Sequence, residues 1–243
     1  MTINDSATRA SLRLPAALLI VGQLAYVGVT QMHAGGDAND HHHIFEHYAE
    51  NGIWGLVHVG QFVAVALLVA GLWALRYAME GRSRRVDELL RLGAGAGLAA
   101  LALYGALQAV DGVALKQAVI AWANASDAEQ AARFASAESI RWLEWGMRSY
   151  HDFALGLSLL LFGVGVVWGT SVPRAIGWLM GLSAIAYFAQ GWVAGTDGFT
   201  AAQSIGIVAG WALCITWMTW LAIHAWGESK DDAQSKSPSP ATA

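Results

Sequence analysis

The sequence predicts an all-α, polytopic membrane helix bundle, and three observations lead to that prediction. Hydrophobic residues make up 56% of the 243 residues and charged residues only 13%, against roughly a quarter charged in soluble domains. Six apolar runs are each long enough to cross a hydrocarbon layer of about 30 Å as a helix. The 12 Trp and 27 Gly residues are typical of interfacial aromatic belts and closely packed membrane helices.

Charged residues delimit the six runs and so fix the predicted transmembrane helices. Pro173 and Arg174 mark a tight turn between the fourth and fifth spans, because proline cannot donate a helical hydrogen bond. The predicted spans are about 14–32, 53–75, 92–110, 153–172, 175–196 and 202–226. Residues 1–226 are therefore expected to form a single transmembrane domain. The polar residues 227–243 have too little apolar surface to pack and are expected to form a disordered cytoplasmic tail.

The long segment between the third and fourth spans, residues 112–152, is rich in alanine and helical in composition. Its Ser126-Asp127-Ala128-Glu129 motif matches a capping box, which predicts a helix that starts near Asp127. We therefore expect the third and fourth spans to extend beyond the membrane as an outer αα-hairpin.

Basic residues orient the predicted bundle, because Lys and Arg near span ends are retained on the cytoplasmic side. Ten of the fourteen lie on one side: Arg9, Arg13, Arg76, Arg82, Arg84, Arg85, Arg91, Arg174, Lys230 and Lys236. The sequence thus predicts a multi-pass protein of the cell (plasma) membrane with both termini in the cytoplasm.

Several function classes lack their sequence signals. The chain has no Gly-rich phosphate loop, no GxSxG elbow and no HExxH pair. Its single cysteine, Cys214, permits neither an internal disulfide nor a cysteine-based metal site. The basic residues border the predicted membrane surface, where they favour lipid contact over nucleic-acid binding. The lipid bilayer is therefore the expected partner, and no enzyme class is favoured.

The predicted outer side is acidic and rich in imidazole. It carries eleven acids against four basic residues, an excess that attracts cations. Seven of the eight histidines also fall there: His33, His41, His42, His43, His47, His58 and His151.

The first outer loop predicts a site for a divalent transition metal. Asn39 or Asp40 is a good N-cap residue, and a helix that begins there places His43 and His47 on one face. Two imidazoles at this spacing can share a Zn, Cu or Ni ion, with a carboxylate or water completing the coordination. The predicted ligands are His43, His47, Glu46 and Glu50. The alternative is a solvated polar loop.

Polar side chains inside the spans predict a second site. Such side chains are costly in lipid and usually face the bundle interior, and here five segments offer them at one depth. The predicted binding pocket contains His58, Gln61, Gln108, Asp111, Glu144, His151, Asp152 and Gln190. The alternative is structural: glutamines that join helices, a ladder of Glu144, Arg148 and Asp152, and a pair of Glu138 with Arg141.

Three functions fit these patterns. The leading hypothesis is an outward-facing protein that binds or transports a cation, a proton or a small solute, with histidines as ligands or proton relays. The second is an electron-transfer protein in which His58 and His151 ligate haem b. The third is a non-catalytic membrane scaffold whose outer hairpin docks a partner.

Overall fold

A computed structural model describes residues 3–33, 35–79 and 83–227, and this part of the chain is helical without any strand. The helices are α1 (Ile3–Thr30), α2 (His41–Glu50), α3 (Trp54–Ala78), α4 (Arg84–Ala109), α5 (Lys116–Ala123), α6 (Asp127–Trp168), α7 (Arg174–Asp197) and α8 (Ala201–Trp226). A π-helical segment, Val110–Leu115, joins α4 to α5 without a break. The predicted tail beyond Gly227 lies outside the described residues, as do Arg82, Lys230 and Lys236.

Six helical stretches are long and apolar enough to cross a membrane: α1, α3, α4 with its continuation through α5, α6, α7 and α8. The prediction of an all-helical chain with six helices able to cross a membrane is confirmed for the described residues. Three helices begin well before the apolar runs that predicted them. The α1 helix begins at Ile3 and α4 at Arg84. The α6 helix has 42 residues, which corresponds to about 63 Å at 1.5 Å per residue.

The six long helices form a closed ring. Each one packs against its neighbours in sequence, and α8 returns to pack against α1. Close approach is clearest between α6 and α7, where a Cβ atom on Gly163 would lie 2.7 Å from the carbonyl oxygen of Gly177. Small residues let helix backbones approach in this way. Near the chain ends, Arg9 and Arg13 donate hydrogen bonds to the carbonyls of Gly227 and Ala225.

We call the two ends of the bundle the terminal end, where α1 begins and α8 ends, and the histidine end, where the α1–α2 loop, α2 and α5 lie. Toward the terminal end, the interior is an apolar cluster. Its members include Leu12, Leu72, Leu90, Phe162, Met180 and Trp217. Toward the histidine end the interior is polar, and most of the buried charged side chains lie there.

The short helix α2 lies across the histidine end. Its start is capped by the Asp40 side chain, which accepts a hydrogen bond from the backbone N–H of His43, and it ends at Glu50. Ile44, Phe45 and Tyr48 are buried against α5 and α6. These contacts hold the α1–α2 loop over the ring.

Candidate functional site

A cavity of about 630 Å³ lies inside the ring at the histidine end. Five of the six long helices and the α1–α2 loop contribute to its wall. Polar and charged residues of the wall include Tyr26, Gln61, Gln108, Asp111, Arg141 and Glu144. Asn39 holds the loop over the cavity, because its side chain bonds to the Asp197 carbonyl and to the backbone N–H of Phe199.

Three potential metal ligands meet at the cavity wall: His33 from the α1–α2 loop, His58 from α3 and Asp111 from the π-helical segment. The Nε2 atom of His58 lies 2.9 Å from Asp111 Oδ2, and the Nε2 atom of His33 lies 3.9 Å from the same oxygen. His58 and Asp111 are buried, and His33 is half-buried. Within the described ranges, these three offer ligand atoms that all lie within 4.8 Å of one another.

The hydrogen bonds of His58 define what its second nitrogen can do. Its Nδ1 lies 2.8 Å from the carbonyl oxygen of Trp54, which can only accept, so Nδ1 carries a proton. The lone pair of Nε2 in the neutral ring then points at the Asp111 carboxylate. Two such acceptors at 2.9 Å need a proton or a cation between them. The other carboxylate oxygen, Asp111 Oδ1, is buried without a hydrogen-bond donor.

The π-helical segment brings Asp111 to this position. A π turn contains one residue more than an α turn and often occurs at functional sites. The next residue, Gly112, packs directly on His58: a Cβ atom there would lie 2.9 Å from His58 Cβ. Glycine is therefore what allows the two helices to approach closely enough for the contact between His58 and Asp111.

Aromatic side chains surround the three ligands. The His33 ring lies 4.8 Å from the Trp54 ring and 5.7 Å from the Tyr48 ring, measured between centroids. Trp54 also donates a hydrogen bond to the backbone carbonyl of Asp111. Burial raises the pKa of the Tyr48 phenol above its ordinary value, so this residue stays neutral beside His33. Lys116 anchors the end of α2, because its Nζ donates hydrogen bonds to the backbone carbonyls of Tyr48, Ala49 and Asn51.

Two buried ion pairs of α6 lie on the side of the cavity opposite the three ligands. Their partners differ from those that helical spacing suggested. Arg141 pairs with Glu144 and donates to the carbonyl of Ala38, whereas Glu138 bonds to His41. Arg148 pairs with Asp152 at 3.0 Å and donates to the Tyr26 hydroxyl. The predicted pair of Glu138 with Arg141 is therefore wrong, and Glu144 does not join the ladder. Residues three or four apart on a helix can form several alternative ion pairs, and contacts with other elements determine which pairs form.

The charges around the cavity do not balance. Asp37, Asp111 and Glu144 lie in the wall, and Asp152 stands behind it as the partner of Arg148. Arg141 and Arg148 are the opposing guanidinium groups. With all four carboxylates ionised and the histidines neutral, these groups sum to a formal charge of −2; burial raises the pKa of Glu144 and so makes this sum less negative.

The structure divides the eight residues of the predicted pocket into two sets. Four of them line the cavity: Gln61, Gln108, Asp111 and Glu144. A fifth, His58, contacts the cavity residue Asp111.

The remaining three predicted pocket residues make structural contacts elsewhere. His151 bonds through Nδ1 to the carbonyl of Ala100, and Gln190 donates to the carbonyl of Gly206, which links α7 to α8. Asp152 pairs with Arg148.

The predicted metal ligands of α2 lie on the surface. His43 and His47 place their Nε2 atoms 3.2 Å apart, and Glu46 and Glu50 are exposed beside them. The neighbouring histidines contact other residues. His41 is hydrogen-bonded to Glu138, and the His42 ring stacks on the Phe134 ring with the two centroids 4.0 Å apart. The group of three ligands described above contains none of the four predicted residues.

Sequence reasoning missed His33 and Arg141 as site residues. His33 stands in a loop, where no helical periodicity shows which way a side chain points. Arg141 was explained by a neighbouring acid on its own helix. The only sequence signal for His33 was its membership of the histidine-rich loop. No family model, curated protein sequence or solved structure matches this chain.

Proposed function

We propose that this chain binds a divalent transition-metal cation at His33, His58 and Asp111, as an integral membrane protein open to the extracytoplasmic side. The contact between the His58 lone pair and the Asp111 carboxylate carries the proposal. Two imidazoles and one carboxylate form a common zinc ligand set that leaves a fourth position for water or a substrate. This metal site replaces the surface site as the principal one.

The distances suit a small tetrahedral ion. Neighbouring ligands of zinc, each about 2.0–2.1 Å from the ion, lie about 3.3 Å apart. The ligand separations of 2.9 and 3.9 Å bracket that value, so small side-chain rotations suffice. The bond from His58 Nδ1 to Trp54 is the outer-shell contact that usually orients a metal-bound histidine.

The excess negative charge of the cavity favours the same ligand. A site with uncompensated negative charge attracts a divalent cation more strongly than a monovalent one. Aromatic residues around His33 lower the local polarity and restrict the number of water molecules that compete for the ion.

We assign the histidine end to the extracytoplasmic side. The basic residues that the positive-inside rule weighs most heavily cluster toward the terminal end. At about 63 Å, α6 is about twice the thickness of a hydrocarbon core, so its first part, with α5, forms a hairpin outside the membrane. Residues 1–226 then act as one transmembrane domain of the plasma membrane with cytoplasmic termini.

Binding is favoured over permeation. Between the cavity and the terminal end lies the apolar cluster of Leu72, Phe162 and Trp217, which offers a cation no ligands. Haem ligation by His58 and His151 is less favoured, since His58 Nε2 faces the Asp111 carboxylate and His151 does not line the cavity. His43 and His47, with Glu46 and Glu50, remain a proposed second, weaker site at the surface.

Zinc binding to the protein in detergent tests the proposal by competition with a chromogenic chelator. We expect one tight site in the unaltered protein and an affinity about 100-fold lower in His58→Gln, which loses a ligand. His151→Gln is the matched control, because it replaces another buried histidine that lies outside the cluster. Equal affinity of the two variants, or no tight site in the unaltered protein, would refute the proposal.

A further inference from the structure

Trp54, the first residue of α3, contacts all three proposed metal ligands. Its backbone carbonyl oxygen lies 2.8 Å from His58 Nδ1, and its indole Nε1 donates a hydrogen bond of 3.2 Å to the backbone carbonyl of Asp111. Its ring lies 4.8 Å from the His33 ring, measured between centroids. Three different parts of one buried residue therefore meet ligands that come from three separate elements.

The indole group of Trp54 cannot itself bind the ion. Its Nε1 is a hydrogen-bond donor only, and that donor is used by the Asp111 carbonyl. Trp54 can therefore influence a metal ion only by holding the three ligands in place. Outer-shell residues commonly orient metal ligands in this way and raise the affinity of the site.

The indole hydrogen bond ties the π-helical segment to α3. Asp111 lies in that segment, whose backbone departs from the regular α-helical hydrogen-bond ladder, and its carbonyl is held by a donor from another helix. One turn further along α3, the His58 ring bonds to the Trp54 carbonyl. Trp54 thus fixes the backbone of one ligand and the ring of the next, and these are the two ligands that lie 2.9 Å apart.

The Trp54 ring also supports both imidazoles. Its centroid lies 4.5 Å from that of His58 and 4.8 Å from that of His33, and the two imidazole centroids are 5.3 Å apart. The Tyr48 ring lies 4.4 Å from the Trp54 ring, which restricts the indole in turn. Close-packed interiors transmit displacements from one side chain to the next. The indole therefore limits how far the two imidazoles can separate.

We propose that Trp54 is the positioning residue of the metal site, an assignment that rests on the proposed function, and that it makes the site selective for a small ion. A larger ion such as Cd²⁺ needs ligands further apart than Zn²⁺ does. The cost of separating the ligands depends on how rigidly their neighbours hold them. With the Trp54 contacts in place, that cost falls on the larger ion and favours zinc.

A replacement that changes only the indole N–H tests the hydrogen bond. The unnatural residue benzothienylalanine has the ring size of tryptophan but carries sulfur in place of the N–H, so at position 54 it keeps the packing and removes the donor. The same replacement at position 73 is the matched control. Trp73 lies on the same helix, and its Nε1 is buried with no hydrogen-bond acceptor among the described residues.

The experiment titrates the full chain in detergent with Zn²⁺ and, separately, with Cd²⁺ by chelator competition. At position 54, the replacement should lower the zinc affinity about tenfold and the ratio of zinc to cadmium affinity about fivefold. At position 73, both values should stay within about twofold of those of the unaltered protein, because no ligand contact is lost. The ratio is the decisive value, since partial unfolding would reduce the binding of the two ions alike.

Two results would overturn the role of Trp54 and leave the proposed function intact. Unchanged zinc affinity after the replacement at position 54 would mean that the indole hydrogen bond does not position Asp111. An unchanged ratio of zinc to cadmium affinity, or an equal change of this ratio at position 73, would mean that Trp54 does not determine selectivity. A lack of any tight zinc site in the unaltered protein would instead refute the proposed function, and the role of Trp54 with it.

Discussion

Two histidine groups in this protein have similar ligand chemistry and opposite surroundings. His43 and His47 lie 3.2 Å apart on the exposed face of α2, with carboxylates of the same helix beside them. His33, His58 and Asp111 come from three separate elements and lie among buried aromatic residues. The first group is produced by helical spacing alone, and the second exists only when the fold is complete.

The difference lies in preorganisation. Exposed side chains such as His43 and His47 lose more rotational freedom than buried ones when a metal ion binds. In the buried group, the Trp54 carbonyl and Gly112 already hold the His58 ring against Asp111. A site whose supporting contacts fix its ligands loses less on binding. We therefore expect the buried group to bind a metal ion much more tightly.

The largest expected effect follows from removing the buried carboxylate charge. Asp111→Asn keeps the shape of the side chain but replaces its anionic ligand, and the zinc affinity should fall about 100-fold. Glu46→Gln removes a carboxylate beside the exposed pair and should change the affinity of the tight site less than twofold. Chelator competition measures both variants. An equal loss of zinc affinity in Asp111→Asn and Glu46→Gln would contradict the prediction that the buried group binds zinc more tightly than the exposed pair.

An intermediate effect is expected from the packing that supports His58. Gly112→Ala introduces a Cβ atom 2.9 Å from His58 Cβ, which must shift the ring and its neighbours. The zinc affinity should fall about tenfold, and the free energy of unfolding should fall by about 1–3 kcal/mol.

Gly95→Ala is the control for this prediction, because a Cβ atom on that residue of α4 meets nothing within 4 Å. Thermal unfolding in detergent and zinc titration report the two quantities. Unchanged zinc affinity in Gly112→Ala would mean that this close packing does not position the ligand.

The fold was predictable because hydropathy acts locally along the chain. Each apolar run became a helix, and the turn at Pro173 and the start of α6 at Asp127 fell where local signals placed them. The helices continued past the apolar runs, since a helix ends at a cap or a break in hydrogen bonding and not at the edge of the lipid. Arg84 and the first turns of α6 illustrate this.

The site was only partly predictable, because it depends on which elements meet. Intramembrane polarity identified His58 and Asp111, since lipid tolerates such groups only when they face the interior. The same rule grouped His151 and Gln190 with them, although both satisfy their hydrogen bonds elsewhere. The π-helical segment and the direction of His33 have no local signal strong enough to predict them.

The smallest expected effect on tight binding comes from the exposed pair. His43→Ala combined with His47→Ala removes both exposed imidazoles from the surface of α2. The tight zinc site should keep its affinity within about twofold, and only binding at higher zinc concentration should disappear, because two mobile ligands hold an ion weakly. Titration over a wide zinc range separates the two phases. Loss of the tight phase would place the principal site on α2 and reverse the ranking of the two histidine groups.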